Sequence, residues 1–317
     1  MGPKITIRNI EFEGASWTPI YIAHASGVTI VGNKISQVRP VLYAPEGRKP
    51  FRVQHGIVIG TWLSLTLSKR EPYQADAVTG IVRIEENDIE LTNDEPTNTM
   101  GLGTLLIQTT GVTANIARNT IRNASRNCIE ALDNYRASNG SGWIVIADNQ
   151  LDTPAEGIPL PAPMTPNGIM AGYFLDPSAA TDPSRAMGHM ILHNSLRAHG
   201  RTSWGIGVLL DGALVRDNYV AIEGSESAGI VSTGSQVYIG QNRVEGAGVA
   251  AVRLTPYASM SASDSELNGN DFETFKASTA DVVLGKGATN NHIDGRSGSI
   301  VDGGAGNQAT GLRTVSK

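Results

Sequence analysis

The chain has 317 residues, with 36 glycines, only 5 phenylalanines, 17% charged residues and a formal net charge of −5. Its Arg and Lys residues are scattered, which excludes the basic stripe that a nucleic-acid surface needs. No apolar run approaches the roughly 20 residues of a membrane span, and the single cysteine, Cys128, excludes an intrachain disulfide.

Met1 to Gly14 reads as strand rather than as a signal peptide, and localisation stays open among secreted, periplasmic and cell-surface placement. Within this stretch Ile7, Ile10 and Phe12 open a spacing that the rest of the chain repeats. The pattern is an aliphatic residue, two further residues, Asn, one further residue and a second apolar residue. It recurs at Ile30/Asn33/Ile35, Ile84/Asn87/Ile89, Ile116/Asn119/Ile121, Ile146/Asn149/Leu151 and Ile191/Asn194/Leu196. It continues at Val215/Asn218/Val220, Ile239/Asn242/Val244 and Leu267/Asn270/Phe272, with a weaker copy at Ala288/Asn291/Ile293. Strand residues alternate faces, so the two apolar positions flank a turn. Asn tolerates the left-handed backbone of a sharp corner, and stacked Asn amides can hydrogen-bond along an axis as they do in cross-β ladders. All these Asn residues therefore read as structural.

A second strand per repeat begins with a small or polar residue, as in Gly56-Ile57-Val58-Ile59, Cys128-Ile129-Glu130-Ala131, Gly168-Ile169-Met170-Ala171, Gly205-Ile206-Gly207-Val208 and Gly229-Ile230-Val231-Ser232. Stacked, these form one parallel sheet whose outward positions include Val58, Glu130, Met170, Gly207 and Val231. The predicted architecture is all-β: a single-stranded right-handed parallel β-helix, a solenoid of about ten rungs and about 45 Å in length. One domain would span 1–317, because each repeat contacts only its neighbours.

The Asn positions at 194, 218 and 242 are 24 residues apart, whereas 33 to 87 spans 54 and 149 to 194 spans 45. Insertions are therefore expected in the first half, at about 39–55, 64–78, 133–141 and 153–188. The last holds 7 of the 15 prolines, which points to an irregular loop rather than a helix. The functional face is expected beside them, with the evenly spaced repeats as a spacer.

These repeats resemble those of the pectin-lyase-like superfamily of right-handed parallel β-helix proteins, along nearly the whole chain. The resemblance implies the fold. It leaves function open among polysaccharide lyases, hydrolases, epimerases, tailspikes and non-catalytic surface proteins. His55-Gly56-Ile57-Val58-Ile59-Gly60 is similar to the His-Gly strand of polygalacturonases, and Arg126-Asn127-Cys128-Ile129-Glu130-Ala131 resembles their Asp-Asp-Cys strand. Arg126 and Asn127 stand where the two aspartates belong and the strand order is reversed. The paired carboxylates of such hydrolysis are missing from that place, and the match reads as shared packing.

Candidate chemistry gathers near the insertions. A uronate-cleaving lyase needs a group to neutralise the substrate carboxylate, often calcium held by Asp or Glu, and a base. Glu130, Asp133, Asp176 and Asp211 are candidates to neutralise or to bind calcium; His55, Arg136 or Tyr173 are candidates for the base or for stabilising an enolate. Trp62, Tyr73, Tyr135, Trp143, Tyr173 and Trp204 are candidate sugar platforms, with anchoring of loops on the rod as their structural role. Two functions follow: an enzyme cleaving an anionic polysaccharide by elimination or hydrolysis, or a non-catalytic carbohydrate-binding or structural β-helix. No zinc-spaced His/Cys cluster, phosphate-binding glycine loop or nucleophile elbow occurs. Because the first strand begins almost at once, a second subunit or a further domain is expected to cover the N-terminal end.

Overall fold

The structure, a computed structural model, describes residues 2–43, 51–60, 78–92, 103–108, 112–124, 126–133, 143–153, 166–173, 189–257 and 260–316. These residues are all-β. Three parallel sheets of eleven, nine and eleven strands account for all the described strands except one antiparallel pair. In each sheet the strands follow one another in chain order, and the chain visits the first, second and third sheets in turn as far as Phe275–Ala277, after which its described strands alternate between the third and the first. This is the sheet arrangement that a parallel β-helix requires.

The Asn repeat spans the corner between the first and second sheets. The aliphatic residue before Asn is next to last in a first-sheet strand such as Val28–Val31, and the one after it lies in a second-sheet strand such as Lys34–Val38. Ile30 and Ile35, Ile84 and Ile89, Ile116 and Ile121, and Val215 and Val220 are all buried in one continuous core. The eight Asn side chains from Asn33 to Asn270 form an unbroken ladder. Asn218 is typical: its Nδ2 donates to Asn242 Oδ1 at 2.9 Å and to Ile191 O at 2.8 Å, and its backbone N–H donates to the same Asn242 oxygen. Its own Oδ1 accepts the backbone N–H and Nδ2 of Asn194.

Two details differ from the sequence reading. The left-handed residue of the corner is the one preceding each Asn: Glu86, Arg118, Asp148, His193, Asp217 and Gln241 have φ between 53° and 58°. Glycine supplies this geometry before Asn33 and Asn270, at Gly32 and Gly269. The Asn residues serve through their side-chain amides instead. Further, Asn291 belongs to a different column. Ile293 pairs with Leu267, the residue three before Asn270, so Asn291 sits at the entrance to the first sheet rather than at its exit. There it bonds Asn307 and receives the Ser265 N–H, a short second ladder at the opposite corner.

The insertions are partly recast as well. Within 39–55, Val41–Tyr43 and Phe51–Val53 pair as an antiparallel hairpin. The stretch 153–188 is not one loop, because Asn167–Tyr173 inside it is a third-sheet strand bonded to neighbours on both sides. The segments expected at 64–78 and 133–141 lie outside the described residues except for Val78 and Asp133. At the N-terminal end Ile5, Ile7 and Phe12 are only partly buried and Ile10 is 45% exposed.

Candidate functional site

The third sheet carries the site. Its register stacks Val58, Leu106, Glu130, Met170, Gly207 and Val231 in one column. The column alternates with core residues such as Ile57 and Ile59, so its side chains face outward. Val58 and Leu106 are nevertheless buried, and Glu130 between Leu106 and Met170 is 4% exposed. A carboxylate so far from water needs partners. Glu130 Oε2 accepts the Gly103 N–H at 2.6 Å and Asn127 Nδ2 at 2.8 Å. Oε1 has no hydrogen-bond partner among the described residues. Burial pushes the Glu130 carboxyl above its ordinary range, against the opposing pull of Arg126, Asn127 and Gly103.

The donors to Glu130 are themselves ordered from the next coils. Asn167 Nδ2 donates to Asn127 Oδ1 at 2.8 Å, and the Trp204 N–H donates to Asn167 Oδ1 at 2.8 Å. Three successive donors therefore point along the helix axis toward one carboxyl, an arrangement in which each bond polarises the next. On the other side lies His55, fully buried, with Nδ1 2.8 Å from Gly103 O. A carbonyl only accepts, so Nδ1 carries the proton and the lone pair of the neutral ring is on Nε2. Burial lowers the His55 pKa to about 4; the Gly103 carbonyl opposes that shift and the Arg126 cation adds to it. Gly103 thus touches both ionisable groups through its backbone.

Next along the sheet is an aromatic floor. A Cβ at Gly207 would run into Met170 Sδ and lie 3.0 Å from the Trp204 ring, so both side chains close over that glycine. Trp204 and Met170 are half-buried and face outward.

Of the residues singled out in the sequence, Glu130, His55 and Trp204 are brought to this one face. Asp133 and Tyr173 are opposite each other at the ends of their adjoining strands. Asp211 is not part of the cluster: its Oδ1 accepts the Ser235 N–H of the following coil at 2.6 Å. Trp143 is 53% exposed but leads into the first sheet, where its carbonyl accepts the Ala114 N–H. Trp62, Tyr73, Tyr135, Arg136 and Asp176 lie outside the described residues. Gly103, Asn127 and Asn167 were not anticipated. A signal was present for two of them, since Asn127 and Asn167 each stand two residues before the stacked Ile129 and Ile169.

Among the described residues no group of three or more His, Cys, Asp or Glu side chains is placed to hold a metal ion, so the calcium expectation gains no ligand set there. No described helix is long and apolar enough to cross a membrane. No protein-family model matches the chain, and no characterised protein or solved structure does.

Proposed function

We propose that the chain is a carbohydrate-active right-handed parallel β-helix protein of about ten rungs, of the pectin-lyase-like superfamily. It would act on an anionic polysaccharide at the outer face of the third sheet. The observation that carries this reading is Glu130. One of its oxygens is held by two N–H donors, the other has no partner among the described residues, and burial favours its protonated form. With Oε2 committed as an acceptor, the proton of the neutral acid resides on Oε1. That is the arrangement of a general acid that protonates a departing glycosidic oxygen, in hydrolysis or in elimination. Trp204 and Met170 offer a sugar ring an apolar platform about two strand spacings away, about 10 Å.

Incubation with a panel of uronate polymers, read by absorbance of the unsaturated product and by reducing ends, tests the reading. Activity that Glu130→Gln abolishes is expected; a protein inert on every polymer, with or without calcium, overturns it.

A second reading, a non-catalytic carbohydrate-binding or structural β-helix, is favoured by the depth of the cluster, where His55 and Glu130 are 0% and 4% exposed. It expects polymer binding that Glu130→Gln leaves intact. Under either reading a second subunit over Ile5, Ile7 and Ile10 would complete the N-terminal end, and light scattering that returns a monomer removes that part.

A further inference from the structure

The outward column of the third sheet extends past the residues of the proposed site. It begins at Tyr21 beside Val58, and beyond Val231 its register continues to Arg253, Val283 and Val301. In this column only Glu130 bears a carboxyl and only Arg253 a cation; the first is buried and the second exposed. Four strand spacings separate them, about 19 Å. Gly207 and Val231 between them are buried, so past Met170 the next exposed group of the column is Arg253.

Arg253 has no carboxylate to hold. The strands on either side of it, Ala228–Ser232 and Val282–Leu284, contain no acidic residue, and Arg253 makes no ion pair among the described residues. Elsewhere on the rod Arg83, Arg118, Arg122, Arg201, Arg216 and Arg243 each reach a carboxylate. The register neighbours of Arg253 are Val231 and Val283, so aliphatic side chains flank its stem while the permanently charged guanidinium keeps its donors uncommitted. Such a planar fork suits the oxygens of an oxyanion, which it can hold bidentately.

We propose that Arg253 is a specificity-determining residue: it holds an anionic substituent, carboxylate or sulfate, of a polysaccharide chain that runs along the rod axis from Glu130 past Trp204. The assignment rests on the proposed site at Glu130 and adds to it a direction and a minimum length. A chain laid across the sheet would not meet both groups. One laid along the axis does, once it is long enough to span about 19 Å.

Calorimetric affinity and, on polymers that are cleaved, KM and kcat test this on the full chain, with polyuronates, a sulfated galactan and a neutral galactan as probes. Arg253→Gln should raise Kd and KM on anionic polymers by about fivefold, the upper scale of one exposed ion pair, with kcat unchanged. Arg253→Lys should recover part of the loss, and molar salt should remove the difference. Oligouronates of increasing length add a readout that a structural role would not move. Wild-type affinity should step up at the length that first reaches Arg253, and the glutamine variant should lack the step. A loss shared by the uronate and sulfated polymers assigns the position to either oxyanion, and a loss confined to one names it. Binding that Arg253→Gln leaves unchanged, or weakens equally on the neutral polymer, would overturn the proposal while the site at Glu130 stands. A wild-type protein that binds no polymer overturns both.

Discussion

The backbone N–H of Gly103 donates to Glu130 Oε2 at 2.6 Å, and a Cβ at position 103 would lie 2.6 Å from the Glu130 Cβ. The close approach and the hydrogen bond are one feature, because only a residue without a side chain lets the backbone reach a buried carboxyl from the adjoining strand. The remaining space is occupied by Glu130 N at 2.8 Å and Leu105 O at 2.7 Å, neither of which can rotate away.

Gly103→Ala is therefore expected to destabilise the fold by about 2 kcal/mol, the usual cost of overpacking, and to shift the Glu130 titration. Urea unfolding measures the first, and carboxylate infrared bands of labelled glutamate measure the second. An alanine variant as stable as wild type would show that the strands can part there without loss.

The ladder makes a graded prediction. Asn218→Ala removes an amide bonded on both sides and leaves Ile191 O and Asn242 Oδ1 short of donors, at a cost of about 3 kcal/mol. Asn33→Ala, at the end of the ladder beside Ile10, leaves fewer buried groups unpaired, and about half that cost is expected. Chemical denaturation of both variants gives the comparison, and equal losses would show that position in the ladder carries no weight.

Acid should weaken the protein through His55 and His189. Both are neutral in the fold with pKa values lowered to about 4 from 6.5. Between those values the unfolded chain binds more protons than the folded one, so stability falls as pH drops below about 6.5 and the loss is complete near pH 4. Each shift corresponds to about 3 kcal/mol. Urea midpoints at pH 7 and pH 4.5 should differ markedly in wild type and less in His55→Gln, where no proton is taken up.

Glu130 has the opposite sign. Its carboxyl is raised in the fold, so the stability tied to its proton is present below pH 4.5 and is lost as pH rises through the folded value. Glu130→Gln keeps an oxygen to accept from Gly103 and Asn127 but cannot ionise. Its stability relative to wild type should be greater at pH 8 than at pH 4. A difference between the two proteins that does not change with pH would mean that Glu130 titrates in the fold as it does in the unfolded chain.

Trp204→Ala tests the platform. Its ring is half-buried and its structural bond to Asn167 is made by the backbone, so the variant should fold. About tenfold weaker polymer binding is expected, the scale of one lost aromatic contact, by calorimetry with whichever polymer binds wild type.

The sequence by itself determined the parallel stack, because burial of Ile and Val at a fixed offset from Asn is a local pattern that every coil repeats. It also determined that Glu130 faces outward, since strand alternation has a period of two. Register was less legible. Asn291 matches the pattern, yet Ile293 falls opposite Leu267, and only the pairing of whole strands reveals that this Asn serves the other corner. The corner chemistry was displaced by one residue for a similar reason: the left-handed conformation falls on Asp217 and its equivalents, whose side chains announce nothing, while the ladder that compensates them is made between coils. Tertiary structure alone decided the cluster. His55 and Gly103 are 48 residues apart and Asn127 and Asn167 are 40 apart, across segments of unequal length. The loop lengths between those positions do not set which strand lies beside which. Hydrogen-bond register and packing of the inward Ile column do, and they gather His55, Gly103, Asn127 and Asn167, from four coils, around one buried carboxyl, which Gly103 and Asn127 bond directly.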